Sequence, residues 1–288
     1  MTATAATRTT PRRDTGRAGD RTTLTGAAVL VRFALRRDRA RLTAWVLGLA
    51  LVTLATANSV RTVYPTAADR ASIAHGSANP ALLAMTGPAH YLADYSWGAM
   101  LGHRLLGLLV VMAGLMSVLT VTRHTRAEES AGRAVPVLAA GVSRSGWLGG
   151  HLAAALLGST AVMLAAGVGF GLAGALSTGD GGVFLRLTGA ALAFAPALWV
   201  TVGFAAAVYG WLPRAMPLVW VVPAYAFVIG YLGPLLKFPA GLDRLSPFGQ
   251  VPRLPAARMD WTPLAVLTLL AAALIVLALA GFRRRDVE

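Results

Sequence analysis

Six long apolar runs constrain this chain more than any other feature of its sequence. Each run is close to the roughly 20 helical residues needed to cross a hydrocarbon core of about 30 Å. Because lipid offers exposed backbone groups no hydrogen-bond partners, such spans must be helical, and the runs are too long for barrel strands. The sequence therefore predicts an all-α integral membrane protein with six transmembrane helices, at about 42–60, 98–121, 147–176, 187–209, 215–236 and 263–282.

Composition and charge support this class. Of 288 residues, 56% are hydrophobic and only 13% are charged, whereas soluble domains carry about a quarter charged residues. The net charge of +14 does not indicate nucleic-acid binding, because the basic residues fall mostly on alternate loops. Eighteen Arg lie on one set of segments, against seven Arg or Lys on the other. The positive-inside rule thus predicts that both termini are cytoplasmic.

The N-terminal region divides into two parts. Residues 1–23 lack apolar periodicity and predict a disordered basic cytoplasmic tail before a permease domain over 24–288. We see no cleavable signal peptide and expect the first span to be a retained anchor. Residues 24–41 predict a helix in the inner membrane interface, with a stop-transfer charge cluster as the alternative. Its apolar stripe is Leu24, Ala27, Val31 and Leu35, flanked by Arg32, Arg36 and Arg39, and Phe33 falls off the stripe.

Several kinds of chemistry are disfavoured. Lys237 is the only lysine and precedes Phe238, so the chain lacks the Gly-Lys-Ser/Thr ending of a phosphate-binding loop. The six spans contain no Asp or Glu, which counts against ion-coupled transport. With no Cys, thiol chemistry is excluded. The outer His and Asp residues match no metal-ligand spacing: Asp69, His75, His90 and Asp94. We therefore predict that this chain is not an enzyme and holds no metal site and no cofactor.

Two groups of residues are candidates for a substrate pathway. His103 and Arg104 lie near the outer third of the second span, where they could meet an anionic substrate, although Arg104 could instead snorkel to headgroups. Aromatic residues of the fifth span could line an apolar path or simply pack: Tyr225, Phe227 and Tyr231. Prolines should kink or weaken spans four and five. Glycine pairs at four-residue spacing would allow close helix contact, although such pairs also arise by chance among 31 Gly: Gly98–Gly102, Gly146–Gly150 and Gly167–Gly171.

The loop between the second and third spans carries unexpected charge. Residues 126–133 can form about two helical turns before Pro136 stops them, with Glu128 and Glu129 near the start. The sequence predicts a short charged helix on the inner face, which is typical of a surface that binds a protein partner. Ser143 or Ser145 should cap the third span, and residues 177–184 should form a tight turn.

Four segments carry a resemblance to a known family. T-R-H-T-R-A-E-E-S-A-G-R followed by V-L-A-A-G-V-S-R resembles the loop between the second and third spans of type-2 ABC exporter permeases. R-F-A-L-R-R-D-R, N-P-A-L-L-A-M-T-G-P and D-R-L-S-P-F-G-Q-V-P-R-L-P resemble actinobacterial permeases that export polyketide antibiotics, including the tetronasin type. The resemblance extends from Val29 to Asp286, although the chain has about half the usual length of those permeases.

The resemblance implies the permease subunit of an ATP-driven exporter in the bacterial plasma membrane. Its substrates would be amphipathic drugs or antibiotics, and a separate ATP-binding subunit would hold ATP and Mg. A half-length chain would have to form a homodimer to make a two-sided pathway. The alternative is a longer permease that an internal deletion has shortened. The residues that contact the ATPase and couple it to the permease would be Arg126, Glu128, Glu129 and Arg133. The alternatives are an ion-coupled drug carrier, a membrane anchor for an ATPase that moves no substrate, and a membrane-embedded hydrolase.

Overall fold

The computed structural model describes most of the predicted permease domain. The described residues are 29, 31–63, 66, 104–130, 143–232, 236, 238–252, 254 and 258–284. Every regular element in these ranges is helical, which confirms the all-α prediction. The predicted tail at 1–23 lies outside the described residues.

The first two helices form one nearly continuous rod. Helix α1 covers residues 31–37, Asp38 forms a turn, and helix α2 covers Arg39–Val63. Hydrogen bonds bridge the turn, because the Asp38 amide donates to the Ala34 carbonyl and the Leu42 amide donates to the Asp38 carbonyl. Ala34 is 2% exposed, whereas Phe33 is 60% exposed. Val31 and Leu35, the described part of the predicted apolar stripe, are half-buried, and Phe33 faces outward.

Helix α3, Arg104–Ser130, joins two elements that the sequence analysis separated. The second span was predicted to end at Val121, with a distinct charged helix from Arg126. The structure instead shows one uninterrupted helix through both. The physical reason is that residues 121–130 contain neither Gly nor Pro, so nothing in the sequence ends the helix.

Helix α4, Arg144–Thr178, has the ends that the sequence predicted. Ser143 caps its start, with the side chain accepting a hydrogen bond of 3.0 Å from the Gly146 amide. At its end Gly179 adopts a left-handed φ of 71°, which glycine tolerates without steric cost. Asp180 then caps the next helix by accepting from the Gly182 amide at 2.7 Å. The predicted tight turn is thus confirmed.

Helix α5, Gly181–Leu192, returns closely along α4. A Cβ on Gly171 would lie 2.8 Å from the Phe184 carbonyl oxygen, and one on Gly167 would lie 3.0 Å from Thr188 Cα. The Thr188 hydroxyl donates to the Gly167 carbonyl at 3.2 Å. The predicted role of Gly167 and Gly171 in close helix contact is confirmed.

The predicted fourth span is two helices rather than one. Helix α5 ends at Leu192, a turn covers 193–194, and helix α6 covers Ala195–Trp211. Pro196 explains the break, because its ring excludes a helical carbonyl at residue 192 and it has no amide to donate. The prediction that proline would weaken this span is confirmed at this position.

The predicted fifth span is also not one α-helix. It consists of a 3-10 helix at Pro213–Trp220, helix α7 at Val221–Phe227 and a π-helix at Val228–Leu232. Two further 3-10 turns follow at Ala240–Leu245 and Pro247–Gln250. Pro239 precedes the first of these turns, and Pro247 begins the second.

Helix α8, Trp261–Arg284, packs along α6 and ends the described chain. Gly203 and Gly210 of α6 face it, and a Cβ on Gly210 would lie 2.6 Å from the Ala278 carbonyl oxygen. Trp211 extends this contact, since its indole Nε1 donates to the Leu277 carbonyl at 2.8 Å.

Four helical stretches are long and apolar enough to cross a membrane. They are Ser145–Leu176, Gly181–Trp211, Pro213–Gly230 and Trp261–Arg284. A shorter apolar stretch in α3 covers Leu109–Thr122. A multi-pass membrane protein is therefore supported, whereas six spans and two cytoplasmic termini stay predictions.

Candidate functional site

The interrupted segment 213–232 is the most irregular part of the described helices. Leu212 leaves helical geometry with φ −134° and ψ 63°. Pro213 opens the 3-10 helix and Pro217 lies inside it, so two backbone donors are missing within five residues. 3-10 and π-helical turns are less stable than α-helical turns, and they frequently occur at functional sites. The segment is therefore the first candidate for a part that changes shape.

Tyr225 attaches this segment to the first of the two 3-10 turns, Ala240–Leu245. Its hydroxyl donates a hydrogen bond of 2.8 Å to the carbonyl of Leu242, and the ring is half-buried. Phe227 lies on the same helix and is about a third exposed. Tyr231 belongs to the π-helix, and its side chain lies outside the described set. The three predicted pathway aromatics thus share one segment, but Tyr225 uses its polar atom for a tether.

The second 3-10 turn, Pro247–Gln250, inserts an aromatic ring into the bundle. Ser246 is buried, and its hydroxyl accepts from the Phe248 amide at 3.3 Å. The Phe248 ring reaches Gly114 of α3, where a Cβ would lie 3.4 Å from its Cζ. Leu198 of α6 lines the same gap at 3.8 Å from that position. This turn therefore closes the space between α3 and α6.

The opposite end of the bundle is held by stacked aromatic rings. Trp147 of α4 stacks on Phe282 of α8 with ring centroids 5.6 Å apart, and Tyr209 of α6 stacks on Phe282 at 5.7 Å. His151 meets the edge of Trp147 at 4.8 Å. The start of α4 therefore lies beside the ends of α6 and α8. His151 is a half-buried member of this cluster.

Three of the four predicted coupling residues belong to the end of α3. Arg126, Glu128 and Glu129 belong to the helix, although their side chains are outside the described set, and Arg133 lies beyond the described residues. Nearer the start of the same helix, three residues are fully buried: Ala113, Met116 and Ser117. A single rigid helix therefore connects the predicted docking end to the core. His103 lies outside the described residues, and Arg104 begins α3 with an undescribed side chain.

Sequence reasoning missed a polar junction at the start of α2. The Asp38 carboxylate is 12% exposed and lies 3.3 Å from Arg41 Nη1. A cavity of about 10 Å³ lies beside Asp38, bounded by α1, α2, Met116 and Thr120 of α3, and Ala154 of α4. Asp38 is the only acid among the five arginines of residues 32–41, which is a signal that the sequence did contain.

Metal chemistry has no support in the described part of the chain. Among its residues there is no group of three or more His, Cys, Asp or Glu side chains that could hold an ion. The outer group Asp69, His75, His90 and Asp94 lies outside the described residues.

A multi-pass helical membrane protein with an interrupted helix is the class that this architecture defines. Comparison with known proteins narrows it. Residues 30–283 match the family described as "Multidrug efflux system permease Rv1217c, C-terminal domain". Because this match covers most of the chain, the protein belongs to that family.

One relative gives the family a reference protein. The multidrug efflux system permease protein Rv1217c of Mycobacterium tuberculosis (strain ATCC 25618 / H37Rv) is 37% identical over 187 residues. The alignment covers 64% of this chain and 34% of the relative, so the chain spans about a third of that protein. The expectation of an efflux permease family is confirmed at this level, whereas the tetronasin-type resemblance stays a prediction.

Proposed function

We propose that this chain is the membrane permease subunit of an ATP-driven ABC exporter of amphipathic drugs. The observation that carries the proposal is the family match over residues 30–283, together with the words "multidrug efflux" in the name of the relative. The energy source is a separate ATP-binding subunit, because the only lysine, Lys237, precedes Phe238 and cannot complete a phosphate-binding loop. ATP and Mg would be held on that partner.

Helix α3 supplies the mechanical link in this proposal. Closure of the ATPase would push the end of α3 that carries Glu128 and Glu129. Because α3 has no break, the push would reach Gly114, where the helix contacts Phe248. A packed interior transmits such displacements because it has little free volume.

The outer turns would then pass the displacement to the interrupted segment. Phe248 belongs to the second turn, which contacts the first turn, and the first turn holds Tyr225 through the Leu242 carbonyl. The segment 213–232 would change shape more easily than an unbroken α-helix. The proposed result is a switch between inward-facing and outward-facing pathways at the interface of two copies of the chain.

The proposal is tested by co-purification of the protein from native membranes. We compare the wild type with a Glu128→Gln, Glu129→Gln variant and with an Asp286→Asn, Glu288→Gln control that removes two carboxylates elsewhere. We expect an ATP-binding subunit to elute with the wild type and the control. The Glu128→Gln, Glu129→Gln variant should retain about tenfold less of the ATP-binding subunit. This corresponds to a loss of about 1.4 kcal/mol of binding free energy.

Transport assays separate the remaining alternatives. In proteoliposomes that contain both subunits, drug export should stop on ATP depletion and continue with an ionophore. Export that stops only with the ionophore would establish the ion-coupled carrier instead. A bound ATPase without any export would establish a membrane anchor, and the absence of any ATP-binding partner, even after cross-linking, would reject the ABC mechanism.

A further inference from the structure

Helix α1 presents an unusual outward face. Val29, two residues before α1, and Phe33 are 61% and 60% exposed, while Ala34 is buried on the side opposite Arg32 and Arg36. Arg36 lies three residues after Phe33 and is its neighbour on the helix surface. Arg32, Arg36 and Arg39 are spaced by four and three residues, so they share one side of the helix. An exposed aromatic ring beside a row of cations is unfavourable in water but suits a membrane surface.

The three arginines are available to an external anion. No ion pair or side-chain hydrogen bond among the described residues involves Arg32, Arg36 or Arg39. The acid nearest to them in sequence, Asp38, is on the buried side and pairs with Arg41. The remaining cation of α1, Arg37, takes part in a separate interaction.

The surface between these arginines combines charge with apolar area. Arg32, Arg36 and Arg39 border an open depression together with the aliphatic side chains of Val31 and Leu35. Guanidinium groups bind phosphate oxygens in a planar, two-pronged geometry. A free phosphate would use only the charges, whereas a phospholipid would also place its glycerol backbone and upper acyl chain on the apolar side chains.

We propose that the Arg32, Arg36 and Arg39 face of α1 binds the headgroup of an anionic phospholipid of the cytoplasmic leaflet, such as phosphatidylglycerol. The membrane position rests on the predicted topology, in which α2, which begins at Arg39, continues as the first span from a cytoplasmic N-terminus. Phe33 would enter the interface beside the bound headgroup. The site does not depend on whether the protein exports drugs.

The test is native mass spectrometry of the full-length protein, equilibrated with equal amounts of phosphatidylglycerol and phosphatidylcholine of identical acyl chains. The wild type should retain phosphatidylglycerol preferentially. An Arg32→Gln, Arg36→Gln, Arg39→Gln variant should lose the preference by on the order of a hundredfold, since each interfacial arginine contributes about fivefold. The charge-matched control is Arg214→Gln, Arg258→Gln, Arg283→Gln, whose arginines are also exposed, and it should bind as the wild type does.

Four results would overturn the proposal. The triple variant could keep the full preference, or the control could lose as much as the variant, which would reduce the effect to net charge. Displacement of the lipid by excess glycerol 3-phosphate would indicate a soluble phosphate ligand. Loss of a co-purifying protein with unchanged lipid preference would indicate a protein docking surface. If the triple variant does not fold, the Arg36→Gln and Arg39→Gln single variants replace it, each with an expected loss of about fivefold.

Discussion

At the scale of single residues, Gly210 sets how closely α6 and α8 approach. A Cβ there would lie 2.6 Å from the Ala278 carbonyl oxygen, which is backbone and cannot rotate away. Gly210→Ala should therefore lower the free energy of unfolding by about 1–3 kcal/mol, the usual cost of overpacking. Thermal unfolding in detergent measures the effect.

The matched control for Gly210 is Gly189 of α5. A Cβ on Gly189 would meet nothing within 4 Å. Gly189→Ala should leave stability unchanged or raise it by about 0.5–1 kcal/mol, because alanine restricts the unfolded chain. Equal melting temperatures for the two variants would contradict the close contact between α6 and α8.

Tyr225 gives a second prediction at this scale. Tyr225→Phe removes the hydroxyl that donates to the Leu242 carbonyl. The net cost should be only about 0.5–1.5 kcal/mol, but amide hydrogen exchange should accelerate locally in 221–227 and 240–245. Trp261→Phe, at an exposed position, should leave exchange in both segments unchanged. A uniform increase across the whole protein would show that the hydroxyl stabilises the fold generally rather than tethering this segment.

Residues whose partners are close in sequence were predictable, whereas those with distant partners were not. Ser143 bonds to Gly146, and Gly179 with Asp180 forms a turn from adjacent residues. His151, by contrast, joins a cluster completed by Phe282, and no local pattern predicts that contact. Asp38 was visible as an isolated acid, but its burial depends on α3 and α4 packing against α1.

At the scale of helices, proline showed where a span is weakened but not what replaces the α-helix. Pro196 separates α5 from α6, while Pro223 lies inside α7 without ending it. Proline lacks a donor wherever it occurs, yet the surrounding packing decides whether the chain forms a turn, a 3-10 helix or a π-helix. Helix α3 shows the opposite case, because charge alone suggested a boundary where the backbone has none.

The continuity of α3 leads to a prediction about coupling that assumes the proposed function. Thr122→Pro should kink α3 between its buried part and its charged end, since proline removes a helical hydrogen bond and costs about 3 kcal/mol or more. The ATPase should still co-purify, but drug-stimulated ATP hydrolysis should fall by about tenfold or more. Reconstituted vesicles provide the measurement.

Thr122→Ala is the control for this helix. It removes only the side-chain hydrogen bonds of Thr122 to the Val118 and Leu119 carbonyls and keeps the backbone helical. Hydrolysis should then remain close to that of the wild type. If Thr122→Pro couples as well as Thr122→Ala, an unbroken α3 is not required and the link must pass through another element.

At the scale of the whole molecule, burial identifies the central element. In Gly181–Trp211, 72% of the most apolar stretch is buried, against 22% in Pro213–Gly230 and 28% in Trp261–Arg284. The paired helices α5 and α6 therefore form the centre of the described bundle, and the interrupted segment and α8 lie at its periphery. Hydrophobicity alone could not give this order, because in a membrane the lipid-facing and buried residues are equally apolar.

The arrangement of helix ends leads to a topology prediction. Arg283 follows Phe282, which stacks on Trp147 at the start of α4 and on Tyr209 near the end of α6. Arg214 comes just after α6, so it lies at the same end of the bundle as Arg283. Gly181 lies at the opposite end of α4, and Arg258 precedes α8. If both termini are cytoplasmic, the first pair faces the cytoplasm and the second pair faces outward.

Single cysteines can read this topology directly, because the chain contains no native cysteine. In intact cells a membrane-impermeant maleimide should label Gly181→Cys and Arg258→Cys. It should label Arg214→Cys and Arg283→Cys only after permeabilisation, since all four positions are exposed and differ only in the end of the bundle they occupy. The reverse pattern would invert the protein and place the charged end of α3 outside, where no ATP-binding subunit could reach it. Labelling of one member of each pair would instead contradict the alternation of helix directions, and with it the assignment of the aromatic cluster to one face of the membrane.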